Sequence, residues 1–132
     1  MIQRDPAKFI NKDFTYAVVG ASNDSSEFGF HVFGDLLKKG YKALAINTSE
    51  MPDTEIQKKP CYPNLTSARP FPDAVVIVDI SPFMTLEMVK QMRDGGFYRL
   101  WLEEDTYDNE VLNFCDQNNI DYFVEMEIRK FL

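Results

Sequence analysis

Residues 16–29, Tyr-Ala-Val-Val-Gly-Ala-Ser-Asn-Asp-Ser-Ser-Glu-Phe-Gly, decide how this chain folds. Residues 17–19 form the short apolar run that is typical of a strand covered on both faces. Gly20 lets the backbone turn sharply after that strand, and a helix begins close to Gly29. The first amide groups of such a helix point back at the loop and favour an anion, typically a phosphate. The stretch therefore predicts a nucleotide-type site.

The rest of the chain supplies a sheet around this stretch. Four further segments have the apolar character and length of strands, and they are residues 42–46, 74–79, 98–102 and 120–124. Because strands alternate with helical patterns, we expect parallel strands with helices on both faces of the sheet. The predicted fold is a Rossmann-like, doubly wound α/β fold with five parallel strands in the order 3-2-1-4-5. It forms one domain over residues 1–132, with a helical N-terminal extension over residues 1–13.

The segments between these strands have helix or loop signals. The predicted helices are residues 5–11, a segment from Gly29 to Gly40, residues 83–93 after the cap Ser81-Pro82, and a segment from Asp105 or Thr106 to Gln117. A single helical turn is expected over residues 64–68. Residues 47–60 are polar and contain two prolines, which predicts a loop. The tail, residues 125–132, is amphipathic.

Composition excludes several classes of protein. Hydrophobic residues make up 45% of the 132 residues, which excludes a disordered chain. No apolar run approaches the roughly 20 residues that cross a bilayer. The net charge of −7 disfavours nucleic acid and anionic membranes as partners. Because the first residues lack the apolar core of a signal peptide, we expect a cytoplasmic protein.

Known sequence motifs of catalysis and metal binding do not match. The spacing from Gly20 to Gly29 does not fit Gly-x-Gly-x-x-Gly, and no Gly-Lys-Ser/Thr P-loop is present. One His and two Cys give no zinc spacing. We expect His31 to be structural, and Cys115 and Trp101 to lie in the core. We predict no catalytic residue and no metal ligand.

Residues 103–105, Glu-Glu-Asp, follow the fourth predicted strand. Acidic residues are favoured at the start of a helix, so we expect a solvated helix start. The alternative is a cation site or a carboxylate base, which would make the protein an enzyme acting through Glu103 or Asp105.

Several short segments together resemble the CoA-binding domain family. They are residues 18–22 (Val-Val-Gly-Ala-Ser) with Gly29, 40–41 (Gly-Tyr), 45–47 (Ala-Ile-Asn), 59–65 (Lys-Pro-Cys-Tyr-Pro-Asn-Leu), 73–78 (Asp-Ala-Val-Val-Ile-Val) and 100–102 (Leu-Trp-Leu). The resemblance covers about residues 14 to 125, nearly the whole chain. The same fold forms the CoA-binding part of succinyl-CoA synthetase alpha subunits, and small stand-alone members also exist.

The resemblance implies that coenzyme A lies across the carboxyl ends of the strands, with its phosphates at the turn after the first strand. The implied site residues are Gly20, Ala21, Ser22, Asn23, Phe28 and Gly29 after the first strand, Asn47 and Thr48 after the second, and Ile80, Ser81 and Pro82 after the third. It also implies a small CoA- or acyl-CoA-binding protein without catalysis of its own, because larger family members place their chemistry in other domains.

The chain departs from the family pattern in its charges. Family members commonly carry basic residues at the places held here by Asn23 and Glu27, with Asp24 between them. Each missing charge-assisted bond to a phosphate costs about 1.5–3 kcal/mol. The alternative function therefore keeps the fold but binds another nucleotide or a protein partner. Aromatic residues of the tail, Phe131 among them, are expected to be exposed and would allow a homodimer.

Overall fold

A computed structural model of the protein describes residues 5–47, 55–68, 73–124 and 126–132. In these residues it shows a seven-stranded, mostly parallel sheet in the order β3-β4-β2-β1-β5-β6-β7. The strands are β1 (Thr15–Val19), β2 (Lys42–Ile46), β3 (Glu55–Ile56), β4 (Lys59–Tyr62), β5 (Val75–Val78), β6 (Arg99–Leu102) and β7 (Asp121–Phe123). The helices are α1 (Phe28–Lys38), α2 (Leu65–Ala68), α3 (Pro82–Gly95) and α4 (Asn109–Gln117), with 3-10 helices at Pro6–Phe9 and Ile128–Phe131.

The α/β class is confirmed, and a strand is found in each of the five predicted segments. The sheet contains two further strands, and the strand order differs from the prediction. The third predicted strand, now β5, pairs directly with β1 and does not lie beyond β2. The outer position beside β2 is taken by β4, which begins at the end of the segment, residues 47–60, that was predicted to be a loop. The prediction of five strands in the order 3-2-1-4-5 is therefore wrong, because two strands of the sheet, β3 and β4, were missed.

The missed strands form a hairpin whose turn has no sequence signal. Gln57 and Lys58 join β3 to β4, and both have positive φ angles, 48° and 69°. Two-residue hairpin turns of this kind usually carry Asn-Gly or Asp-Gly, because non-glycine side chains disfavour positive φ. Pro60 in β4 argued further for a loop, since proline cannot donate to a sheet. The short hairpin tolerates it, with Pro60 opposite Glu55 in an antiparallel pair.

Two hydrophobic clusters cover the two faces of the sheet. Alternate residues of β5 point to opposite sides, with Val75 and Ile77 in one cluster and Val76 and Val78 in the other. The first cluster packs under α1 and the two 3-10 helices, and the second packs under α3 and α4. Helices on both faces are thus confirmed. The part of the chain that the structure describes has no helix long and apolar enough to cross a membrane.

Two helix predictions need correction, one in its start and one in its type and length. The helix expected from Asp105 or Thr106 begins only at Asn109, and the Asp108 side chain caps it by accepting from the Val111 amide at 3.0 Å. Asp105 adopts a positive φ of 64°, which no α-helix allows. The N-terminal helix is a short 3-10 helix, and Asp5 caps it as expected. By contrast, the turn at residues 64–68 is confirmed as α2.

The tail is part of the core. Trp101 is fully buried, as predicted, and its Nε1 donates to the Met126 carbonyl at 2.9 Å. Phe131 packs edge-on against Trp101 with ring centroids 5.6 Å apart, so it is not the exposed aromatic that was expected. The Arg129 Nε lies 2.7 Å from Asp35 Oδ2 and ties the tail to α1. The argument for a homodimer from exposed tail aromatics is therefore wrong for Phe131.

Candidate ligand-binding site at the carboxyl edge of the sheet

The turn after β1 is held tightly between the ends of β2 and β5. The Gly20 and Ala21 amides both donate to the Ile46 carbonyl, at 2.8 and 3.2 Å. Gly20 has φ +104°, and a Cβ atom there would overlap the carbonyl oxygen of Asp79. Only glycine therefore fits this position, for both conformational and steric reasons.

Helix α1 begins against the same turn. A Cβ atom on Gly29 would overlap the carbonyl oxygen of Gly20. The predicted arrangement of strand, glycine turn and helix start is thus confirmed as a close contact between two backbones. Phe28 begins α1 and is partly buried. The phosphate-binding role of this arrangement is a separate question, because it depends on which amides are available.

Much of the loop between the turn and α1 uses its own amides. The Asp24 amide donates to Ser22 Oγ at 2.9 Å, and the Ser26 amide donates to Asp24 Oδ1 at 2.9 Å. The Glu27 amide donates to the Asp24 carbonyl at 3.0 Å. The hydrogen bonds from Ser26 hold the pKa of the exposed Asp24 carboxyl below its usual value. A carboxylate therefore organises the loop in which a phosphate was expected.

Asp79 supplies a second carboxylate to this region. Its Oδ2 accepts from the Gly29 amide at 3.0 Å, in the first turn of α1. Burial raises the pKa of Asp79, the Gly29 amide lowers it, and the charge on Glu27 raises it again. Sequence reasoning placed Asp79 at a strand end but gave it no role. The available signal was a single acidic residue directly after four buried apolar residues, 75–78.

Asn23 connects the loop to the β3–β4 hairpin. Its Nδ2 donates to the Glu55 carbonyl at 2.9 Å, and its Oδ1 accepts from the Gln57 amide at 2.8 Å. The Gln57 side chain adds to this link, because its Nε2 donates to the Phe30 carbonyl at 2.9 Å. Sequence reasoning missed Gln57, because no local sequence pattern indicates its contacts with Asn23 and Phe30. Asn23 thus has a structural partner in the place where the family carries a cation.

We expect Asn23→Ala to destabilise the hairpin by about 1–2 kcal/mol, because two hydrogen bonds are lost. Amide hydrogen exchange at Gln57 measures this directly as a faster rate. Asn23→Asp is the matched variant, since it keeps the acceptor for the Gln57 amide and loses only the donor to Glu55. Equal protection of the Gln57 amide in Asn23→Ala and in the unsubstituted protein would contradict the role given to Asn23.

The other expected site residues lie at the neighbouring strand ends. Asn47 follows β2, and its Nδ2 donates to the Ala21 carbonyl at 3.1 Å, so it supports the turn. Ser81 is the N-cap of α3, with Pro82 at the first position as predicted. Its side chain makes no capping bond, and its carbonyl accepts from the Thr85 amide. Ile80 is partly buried and packs against the hydrophobic cluster under α3 and α4. Thr48 lies outside the described residues.

Glu103 is buried, although residues 103–105 were expected to be a solvent-exposed helix start. Its side chain is only 4% exposed, whereas Glu104 and Asp105 are exposed as predicted. Oε1 accepts from the Ile128 amide at 3.2 Å, and Oε2 is buried without a partner in the described part of the chain. Burial raises the pKa of Glu103 to about 7, and the charges on Glu127 and Asp79 act in the same direction. The Ile128 amide and Arg129 oppose this shift.

An apolar cleft opens beside the turn, on the α3 face of the sheet. Its volume is about 310 Å³. The lining includes Val19, Ile46, Leu65, Phe83, Met84 and Met88. Gln91 also lines it, and its Oε1 is buried without a hydrogen-bond partner among the described residues. Sequence reasoning placed these residues in predicted strands and helices and did not predict the cleft.

Comparison with known proteins decides the family. A family model described as "CoA binding domain" matches residues 14–126. The chain belongs to this family. Among curated proteins, no match was found. In the described ranges, no three His, Cys, Asp or Glu side chains lie close enough together to hold a metal ion.

Solved structures of related shape include several uncharacterised proteins. A conserved hypothetical protein from Pyrococcus furiosus is 26% identical, with a TM-score of 0.82, and the match covers 90% of this chain and 99% of that one. A hypothetical protein from Pyrococcus horikoshii is 22% identical, with a TM-score of 0.79 and coverage of 98% and 95%. A Thermus thermophilus protein is 18% identical, with a TM-score of 0.73 and coverage of 87% and 91%. The last two likenesses show the fold alone.

Proposed function

We propose that this CoA-binding-domain protein binds coenzyme A or an acyl-CoA at the carboxyl edge of its sheet and carries out no catalysis of its own. The observation that carries the proposal is the contact between Gly20 and Gly29. It brings the start of α1 onto the turn after β1, beside the end of β2. In doubly wound sheets this is the place where a nucleotide diphosphate binds.

The absence of catalysis is proposed because the side chains best suited to chemistry are used by the fold. Glu103 is buried and bonded to the tail. His31 Nε2 lies 2.8 Å from the Ser25 carbonyl, which fixes the ring. Asp79 accepts from the first turn of α1. None of these three groups pairs with a nucleophile in the described structure.

Isothermal titration with CoA and with acetyl-CoA tests the proposal. We expect saturable heat at a stoichiometry of one ligand per chain, together with a rise in the melting temperature as ligand is added. If millimolar ligand gives no heat and no thermal shift, CoA binding is excluded.

A second function is favoured by the carboxylates at the turn. Asp24 and Asp79 both accept hydrogen bonds from amides of the loop and of α1, and Glu27 is exposed beside them. These charges repel a polyanion and would suit a nucleotide of lower charge or a protein partner. Native mass spectrometry of freshly purified protein distinguishes the two functions by the mass of any bound ligand.

We expect Glu27→Lys to raise the affinity for CoA about tenfold, because it removes a negative charge and adds a cation beside the turn. Glu110→Lys is the matched control, since it makes the same change of charge at an exposed position on α4. Titration of both variants at two salt concentrations separates a local contact from a general effect of net charge. If both variants bind CoA equally well, the charge at the turn does not limit binding.

A further inference from the structure

The apolar cleft lies against the proposed phosphate site without being part of it. Val19 and Ile46 are fully buried and line the cleft. Val19 directly precedes Gly20, and Ile46 provides the carbonyl that receives the Gly20 and Ala21 amides. The turn and the cleft therefore share these two strand ends, and one ligand can contact both.

Most of the remaining lining residues of the cleft are apolar, with Asn64 and Glu87 as polar exceptions, and one apolar residue is unusually exposed. Leu65 of α2 and Met88 of α3 are 1% and 4% exposed. Phe83, in the first turn of α3, is 82% exposed although it lines an apolar cleft. A large exposed aromatic side chain beside such a cleft offers a surface that an apolar ligand group can bury.

The cleft also holds one buried polar atom. Gln91 Oε1 has no partner in the described residues. A buried carbonyl oxygen without a hydrogen bond is costly, and a hydroxyl group of a ligand would satisfy it. The cleft thus favours a mainly apolar group that carries a hydrogen-bond donor. Its volume of about 310 Å³ is at the lower end of small-molecule sites.

We propose that this cleft binds the acyl group of an acyl-CoA thioester, and that it selects a short chain bearing a hydroxyl group that donates to Gln91 Oε1. The inference rests on the proposed function and adds the class of acyl group. Val19, Ile46, Leu65 and Met88 would surround the chain, and Phe83 would cover it.

Titrations with CoA and with acetyl-, butyryl- and 3-hydroxybutyryl-CoA test the selectivity. Each additional buried methylene raises affinity by a factor of about four, so butyryl-CoA, with two more methylenes, should bind about fifteenfold more tightly than acetyl-CoA. The unsubstituted protein should bind 3-hydroxybutyryl-CoA more tightly than butyryl-CoA, and Gln91→Leu should remove this preference. Gln117→Leu, at an exposed position on α4, is the matched control and should keep that preference.

Met84→Trp tests the location, because a larger side chain at the mouth would fill the cleft. We expect this variant to lose the preference for butyryl-CoA over acetyl-CoA. If the unsubstituted protein binds CoA and both thioesters equally well, the cleft is not an acyl site, although CoA binding stands.

If no CoA compound binds, the proposed function fails, and the cleft is then tested by a thioester without a nucleotide. The probe is S-butyryl-N-acetylcysteamine, followed by chemical shift changes of the methionine methyl groups. Saturable changes that Met84→Trp abolishes would support an apolar acyl site. No change up to the solubility of the probe would overturn it.

Discussion

The unsubstituted protein is expected to lose about 3 kcal/mol of its free energy of unfolding as the pH rises from about 4.5 to about 7. Replacing Glu103 by Gln should abolish this loss. The folded state raises the pKa of Glu103 from 4.5 to about 7, mainly by burial. In this range the folded protein keeps the proton while the unfolded chain releases it. Stability therefore falls as the pH rises through the window, and each unit of pKa shift contributes about 1.4 kcal/mol.

The measurement is the free energy of unfolding from urea titrations at pH 4.5, 6 and 8, followed by circular dichroism. Gln imitates the protonated carboxyl and keeps an acceptor for the Ile128 amide. The stability of Glu103→Gln relative to the unsubstituted protein should therefore increase as the pH rises. Glu104→Gln, at the exposed neighbouring position, is the control and should follow the unsubstituted protein. A constant difference between Glu103→Gln and the unsubstituted protein at all three pH values would show that Glu103 does not titrate in this range.

The second large effect is expected for Gly29→Ala, at about 3 kcal/mol or more of lost stability. The added Cβ atom would overlap the Gly20 carbonyl oxygen. Neither partner can move easily, because the Gly20 carbonyl belongs to the turn and the added Cβ is attached directly to the backbone of α1. Forcing α1 away from the sheet would also disturb the hydrogen bond from the Gly29 amide to Asp79.

Gly34→Ala in the same helix is the matched control. Its Cβ would meet only the end of the Gln57 side chain, with Oε1 at 2.9 Å, and that side chain can adjust. Since alanine also favours a helix by about 1 kcal/mol over glycine, Gly34→Ala should remain within about 1 kcal/mol of the unsubstituted protein. Similar melting temperatures for Gly29→Ala and Gly34→Ala would refute the close contact.

The sequence predicts the elements that carry strong local patterns. Apolar runs such as residues 75–78 mark buried parallel strands, and Gly20 marks a turn whose shape only glycine allows. These features result from burial and backbone geometry, which act within a few residues. For this reason the α/β class and the position of the turn were predicted correctly.

The features that were missed depend on contacts between distant residues. The β3–β4 hairpin has Gln57 and Lys58 in its turn, and it is held by Asn23 from another part of the chain. Glu103 has the same local sequence signal as the exposed Glu104, yet it is buried and accepts from the Ile128 amide of the distant tail. The apolar cleft arises where strand ends, α2 and α3 meet, so no single segment could indicate it.

The position of Trp101 gives the protein a built-in optical reporter. It is the only tryptophan in the chain. Its indole donates to the carbonyl of Met126, and its ring packs against Phe131. Indole emission shifts to longer wavelength when the ring meets water, so any release of the tail should change the fluorescence of this one residue. Displacement of the tail can thus be followed in solution without an added label.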